Sequence, residues 1–137
     1  MARRLILDTT ALIALERREL DRLALADDDV AIAAVTAAEF RVGVELADTP
    51  RRAAQRQAVL DAIVASVPIL DYTTTTAAAH ARLIVAVRRA GRPRGAHDLI
   101  IAATAVEHGR TVVSTDARAR YADLPDVAWL PAPGDDR

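Results

Sequence analysis

The chain of 137 residues has no cysteine and no lysine, only 3% aromatic residues, and a net charge of −1. Without cysteine there are no disulfides, thiolate metal sites or thiol nucleophiles, a composition compatible with a reducing cytosol. Zinc held by histidine is also disfavoured, because among His80, His97 and His108 no pair has the i, i+4 spacing of a helical site. A pI near 6.3 excludes a global basic field, so any contact with nucleic acid has to come from local arginines. Long apolar runs are missing as well. The opening Met1-Ala2-Arg3-Arg4-Leu5-Ile6-Leu7-Asp8 places a charge after three apolar residues, too few for a signal peptide, and no run approaches a membrane span. The expectation is a cytoplasmic protein with no membrane association.

What is present is a hydrophobic content of 52%, ample for the core of one domain over residues 1–137. All 18 basic residues are arginine, a side chain suited to planar phosphate contacts, although a G+C-rich genome explains the same bias. Residues 3–7 read as a short buried strand, after which Thr9 and Thr10 offer hydroxyls to cap a helix carrying Ala11, Leu12, Ile13 and Leu15. A second short helix is expected near residues 20–26, then a solvated turn at Asp27-Asp28-Asp29 and a strand over residues 30–35. Thr36-Ala37-Ala38-Glu39 opens a helix reaching about Leu46, and Pro50 starts a long amphipathic one.

A third strand is expected at residues 67–70, followed by a helix from Thr73–Thr76 to Ala90 that Gly91-Arg92-Pro93-Arg94-Gly95 breaks. Residues 98–108 are apolar nearly all round, so this helix packs on several sides, and Gly109 is its left-handed stop. Residues 111–114 and 127–130 supply two more strands, and residues 131–137 read as a frayed tail. Strands alternating with helices, without a hairpin signal, predict an α/β fold in three layers, a short parallel sheet of about five strands flanked by helices. The long helices between residues 50 and 90 carry more apolar surface than one sheet face covers, so a homodimer through them is expected.

Four acidic residues, Asp8, Glu39, Asp98 and Asp116, stand where an apolar run gives way to the next element. Open α/β sheets build their active sites there. Gathered at one edge, four carboxylates repel unless a divalent cation neutralises them, which implies Mg²⁺ or Mn²⁺ on oxygen ligands and metal-assisted phosphodiester hydrolysis. Each acid alone admits a plainer reading. Thr36 and Glu39 have the letters of a capping box, Asp98 suits a helix N-terminus, and Asp8 and Asp116 suit turns. Asp71 after Leu70 looks much like Asp8.

Their joint occurrence carries more. Leu5-Ile6-Leu7-Asp8-Thr9-Thr10-Ala11-Leu12-Ile13, Val35-Thr36-Ala37-Ala38-Glu39-Phe40, His97-Asp98-Leu99-Ile100-Ile101-Ala102-Ala103 and Val113-Ser114-Thr115-Asp116 follow one another in this order, with Gly43 after Glu39 and His108-Gly109 before the fourth strand. This series resembles that of PIN-domain proteins and is most similar to VapC-type ribonuclease toxins of bacterial toxin–antitoxin pairs. The resemblance spans nearly the whole chain. It implies a PIN-like fold, a metal-binding quartet of Asp8, Glu39, Asp98 and Asp116, and supporting hydroxyls on Thr10, where the family often has asparagine, and Ser114, where it often has threonine. After Asp116 the family frequently has an Asp-Phe pair. This chain has Ala117-Arg118-Ala119-Arg120-Tyr121 instead, which offers Arg118 and Arg120 to phosphate.

The resemblance implies a Mg²⁺-dependent endoribonuclease that water drives to a 5′-phosphate and a 3′-hydroxyl, with RNA as substrate and a cognate antitoxin as partner. Arg94, in the loop stiffened by Pro93, is a further candidate for phosphate, and His97 is a candidate for substrate or for a capping role. Three alternatives stand beside it. They are a housekeeping RNA-processing nuclease, a catalytically silent PIN-like binding or regulatory module, and a phosphotransferase with Asp8 as phosphoryl acceptor. The last lacks an aspartate at position 10 and any lysine.

Overall fold

The computed structural model describes residues 2–134. Its centre is a five-stranded, wholly parallel sheet in the order β3-β2-β1-β4-β5, formed by β1 (Arg4–Leu7), β2 (Asp29–Ala33), β3 (Ile69–Leu70), β4 (Thr111–Ser114) and β5 (Trp129–Pro131). Five helices connect or flank these strands: α1 (Thr9–Glu16), α2 (Ala34–Glu45), α3 (Pro50–Ser66), α4 (Thr74–Ala90) and α5 (Ala96–His108). The short β-rich runs alternate sides in the manner of a pleated strand. Ile6, Ala33 and Val112 face a core built with Ala79 and Leu83 of α4 and Leu99, Ile101, Ala102 and Ala105 of α5. Leu5, Leu7, Ile32 and Val113 face the opposite core, with Ala11 and Leu12 of α1 and the partly buried Phe40 and Ile63. Helices thus cover both faces, as the alternating sequence pattern predicts.

Local chemistry fixes the helix ends. Thr49 caps α3 ahead of Pro50, Thr73 and Thr76 form a reciprocal capping box at α4, and Gly91 and Gly109 close α4 and α5 at φ of 66° and 60°. Several boundaries differ from the sequence reading. The second strand ends at Ala33, so Thr36 lies inside α2, fully buried, and caps nothing; burial of this turn overrides the capping-box letters of Thr36 and Glu39. The helix expected near residues 20–26 is one turn of 3-10 helix, Leu23–Leu25. The third strand is two residues long, and the fifth begins at Trp129. Residues 131–134 are tied down rather than frayed: Ala132 donates to the Ser114 carbonyl at 2.8 Å, Asp21 to the Pro133 carbonyl at 2.8 Å, and Leu20 bridges Gly134. Residues 135–137 of the expected tail lie outside the described residues.

The order of the strands sets the site. The chain moves outward from β1 to β2 and β3, then returns to lay β4 and β5 on the other side of β1. The carboxyl ends of β1 and β4 therefore flank a topological switch point, the usual place for a ligand crevice. At the opposite end, the buried Arg110 guanidinium donates to the carbonyls of Leu5 at 3.0 Å and Asp29 at 2.9 Å and to the Asp29 carboxylate at 3.1 Å. Arg3 holds Asp28 at 2.7 Å. The run Asp27-Asp28-Asp29 is thus an anchor for β1 and β2 as well as a turn. Replacing Arg110 by Met should cost about 2 kcal/mol, since two strand carbonyls lose their donor; urea unfolding checks this, and Asp27→Asn should leave the midpoint in place.

Candidate active site

Four carboxylates converge at the carboxyl edge of the sheet, each by a different local route. Asp8 follows β1 and caps α1, its Oδ1 accepting from the Ala11 amide at 2.9 Å and the Thr10 hydroxyl at 2.7 Å. Only 2% of Asp8 is exposed. Glu39, in the second turn of α2, accepts the Thr9 hydroxyl on Oε1 at 2.7 Å, and its Oε2 lies 3.4 Å from Nδ1 of His97. Asp116 follows β4, its amide donates to the Ser114 hydroxyl at 3.0 Å, and its Oδ1 accepts from the Arg118 amide at 2.9 Å. Asp98 is the third residue of α5, whose cap is Gly95, so it is no N-cap. A methyl group in place of the Gly95 hydrogen would stand 3.1 Å from Asp98 Oδ2, and the missing Cβ lets this carboxylate pack down.

Hydroxyl groups stitch the acids together. Thr10 lies 3.2 Å from Ser114 and accepts the Thr115 amide at 3.1 Å, which ties the Asp8 turn to the Asp116 turn. Tyr121, which sequence reasoning passed over, places its hydroxyl 3.2 Å from Asp8 Oδ2 and 3.2 Å from Asp98 Oδ1. It sits in a 3-10 turn without periodicity, and only its place in the stretch after Asp116 hinted at it. Thr9, read from sequence as a cap, instead fixes Glu39. His97, half exposed, joins the group through Glu39.

The arginines divide. Arg94 is not available to phosphate: its side chain is 6% exposed and donates to the carbonyls of Ala119 and Arg120 at 2.6 Å each. The Ala119 carbonyl receives no backbone donor, while the Arg120 carbonyl also accepts the Asp123 amide at 3.1 Å, so the guanidinium completes the bonding of this turn. Arg118 is fully solvated at 97% exposure, with Nε 3.6 Å from Asp116, and Arg120 is also exposed.

Burial above all pushes the Asp98 carboxyl above its ordinary value; the Tyr121 hydrogen bond opposes it, and the charges of Asp8, Glu39 and Asp116 each add a smaller upward push. Burial and the charges of Asp8 and Asp98 drive the Tyr121 hydroxyl far above the ordinary phenol range, so it stays protonated. The acids and the hydroxyls that hold them supply oxygen donors, the set that suits a hard divalent cation. Among the described residues no three acidic or histidine side chains stand close enough together to enclose one ion as placed. The donor chemistry fits the cation, and binding would have to draw the acids inward.

A raised carboxyl pKa means that the folded chain favours the proton. The metal-free protein should therefore lose stability as pH rises from the ordinary value of 3.8 through the folded value of Asp98. Asp98→Asn, which keeps an acceptor for Tyr121, should flatten this slope and leave the metal-free protein at neutral pH as stable as before or more so. Thermal melts in chelator across the acid range give the answer.

Residues 5–125 match the PIN domain family. The chain is 41% identical to Ribonuclease VapC5 of Mycobacterium tuberculosis over 112 residues, 81% of this chain and 82% of that protein. It is 30% identical to the tRNA(fMet)-specific endonuclease VapC of Shigella flexneri over 98 residues, 72% of each. Among solved structures, VapBC-5 of Mycobacterium tuberculosis, a member of the VapBC family of toxin–antitoxin systems, superposes with a TM-score of 0.75 at 32% identity, covering 93% of this chain and 96% of that one. The fold, the order of the acids and these likenesses agree: the chain belongs to the PIN-domain family, and within it to the VapC group.

Proposed function

We propose that the protein is a metal-dependent endoribonuclease and the toxin of a bacterial toxin–antitoxin pair. The observation that carries the reading is the gathering of Asp8, Asp98, Glu39 and Asp116 at the switch point, where the charges of the other three raise the cost of charge on Asp98. The VapC ribonucleases to which the chain is similar support RNA as the substrate. Asp8, Asp98 and Asp116 would hold Mg²⁺ or Mn²⁺, with Glu39 at its side. The bound cation supplies positive charge against the scissile phosphate and the leaving 3′ oxygen.

The remaining work falls to side chains. Glu39, steadied by Thr9 on one oxygen and flanked by His97 on the other, orients the attacking water and takes its proton. Attack at phosphorus with loss of the 3′ oxygen leaves a 5′-phosphate and a 3′-hydroxyl, with no covalent enzyme intermediate. Arg118 and Arg120, exposed beside Asp116, meet the phosphate backbone. Thr10 and Ser114 hold the turns that aim Asp8 and Asp116. The half-exposed Val64 of α3 and Val85 of α4 support pairing of two copies through the long helices. An RNA-cutting role puts the protein's work in the cytoplasm.

Two experiments test the reading. Asp98→Asn and Glu39→Gln should each cut RNA cleavage by about 100-fold or more while leaving the circular dichroism spectrum unchanged, because geometry survives and charge or basicity does not. Near wild-type cleavage by both, with co-purifying ribonuclease excluded, would refute the nuclease reading. For the partner, an antitoxin arginine reaching the crevice is the economical substitute for the cation's charge. Mg²⁺ titrated into a preformed toxin–antitoxin complex should then weaken it progressively. Affinity unchanged over a wide Mg²⁺ range would mean that neutralisation acts elsewhere on the surface.

A further inference from the structure

Tyr121 is the bulkiest fully buried side chain, 1% exposed, in the core that α4 and α5 build against the sheet. Its ring is enclosed by apolar neighbours, yet its hydroxyl ends between two anions, 3.2 Å from each. The oxygens it meets are the ones that matter for a ligand. Asp8 Oδ1 is already engaged by the Ala11 amide and the Thr10 hydroxyl, which leaves Oδ2 as the oxygen free to face the crevice, and Tyr121 stands on it. Asp98 turns Oδ2 toward Gly95 and Oδ1 toward the same hydroxyl.

The ring is also pinned from behind. Arg94 clamps the carbonyls of Ala119 and Arg120, and Arg120 takes left-handed backbone at φ 48°, a conformation that costs energy in a residue other than glycine. A segment held this way delivers the hydroxyl to a fixed point. One hydroxyl carries one proton and can donate to one carboxylate at a time, so it eases the repulsion between Asp8 and Asp98 without neutralising it.

We infer that Tyr121 is a positioning residue that holds Asp8 and Asp98 by their crevice-facing oxygens in the metal-free chain and gives them up when a divalent cation binds, so that its hydroxyl sets the cation concentration at which the site fills. The inference rests on the proposed role of Asp8 and Asp98 as metal ligands. Hydrogen bonds made only by the metal-free form stabilise that form alone, and removing them shifts the equilibrium toward the loaded one. Tyr121→Phe is the clean probe, because phenylalanine refills the ring's volume and deletes only the hydroxyl.

The experiment compares wild type with Y121F by calorimetric titration of Mn²⁺ and by thermal melts in chelator and in saturating Mn²⁺. Y121F should bind Mn²⁺ about tenfold more tightly, the factor that one hydrogen bond to a charged acceptor commands. Its melting temperature should fall in chelator and coincide with wild type when saturated. Tyr72→Phe, which removes an exposed hydroxyl bonded to His80, serves as the control and should move neither Mn²⁺ affinity nor the loaded melt. Equal or weaker Mn²⁺ binding by Y121F would overturn the inference, since the hydroxyl would then serve the loaded form as much as the empty one. A wild type that gives no Mn²⁺ heat and no rise in melting temperature would instead sink the metal reading itself.

Discussion

A sheet covered on both faces has nowhere to put charge except at the ends of its strands. Leu5, Ile6, Leu7, Ile32, Val112 and Val113 are fully enclosed, and their backbones are paired along the ladder. Every charged group near the centre of the molecule is therefore displaced to one edge or the other. At the amino edge the charges are spent in pairs, Arg3 with Asp28 and Arg110 with Asp29. At the carboxyl edge they are not: four acids gather, and the donors that reach them are largely neutral. One architecture thus produces a satisfied end and an unsatisfied end, and chemistry belongs to the second.

The way the acids are held follows from that asymmetry. Thr9 donates to Glu39, Thr10 and the Ala11 amide to Asp8, Tyr121 to Asp8 or Asp98 in turn, and the Arg118 amide to Asp116. Neutral donors fix the direction of a carboxylate while leaving its charge in place. An arginine or lysine in the same positions would have oriented the acids equally well and cancelled the field that draws a cation. The imidazole of His97 beside Glu39 and the fully solvated guanidinium of Arg118 beside Asp116 both lie at the rim, where water screens any charge they carry.

How much of this could be read from the sequence depended on whether a feature was local. Asp8 and Asp116 were legible because they follow strands β1 and β4 and Asp98 because it lies in the first turn of a helix, whereas Glu39, in the second turn of α2, marks no junction. The stops at Gly91 and Gly109 were legible because only a left-handed residue closes those helices without strain. Features set by packing across the fold were not. Thr36 carries the letters of a cap, but Ala34 already begins the helix and the residue is buried within it. Residues 131–134 read as part of a frayed tail, yet Ser114 and Asp21 give their backbone partners. Tyr121 arrives through two successive 3-10 turns with no period to announce which way it points.

Arg94 shows how one misreading exposes the logic of the site. An arginine in a stiff loop beside acids looks made for phosphate, but its side chain is buried and donates to the Ala119 carbonyl, which no backbone amide bonds, and to the Arg120 carbonyl. The consequence is a division of labour within a single short segment. Residues 116–121 contribute the Asp116 carboxylate, the solvated guanidinium groups of Arg118 and Arg120, and the Tyr121 hydroxyl, and Arg94 fixes the backbone from which all of them project. A change in the seating of that segment would therefore alter the acid cluster, its hydroxyl bridge and the surface proposed for phosphate together, which makes Arg94 a structural control over the whole carboxyl edge rather than a contact on it.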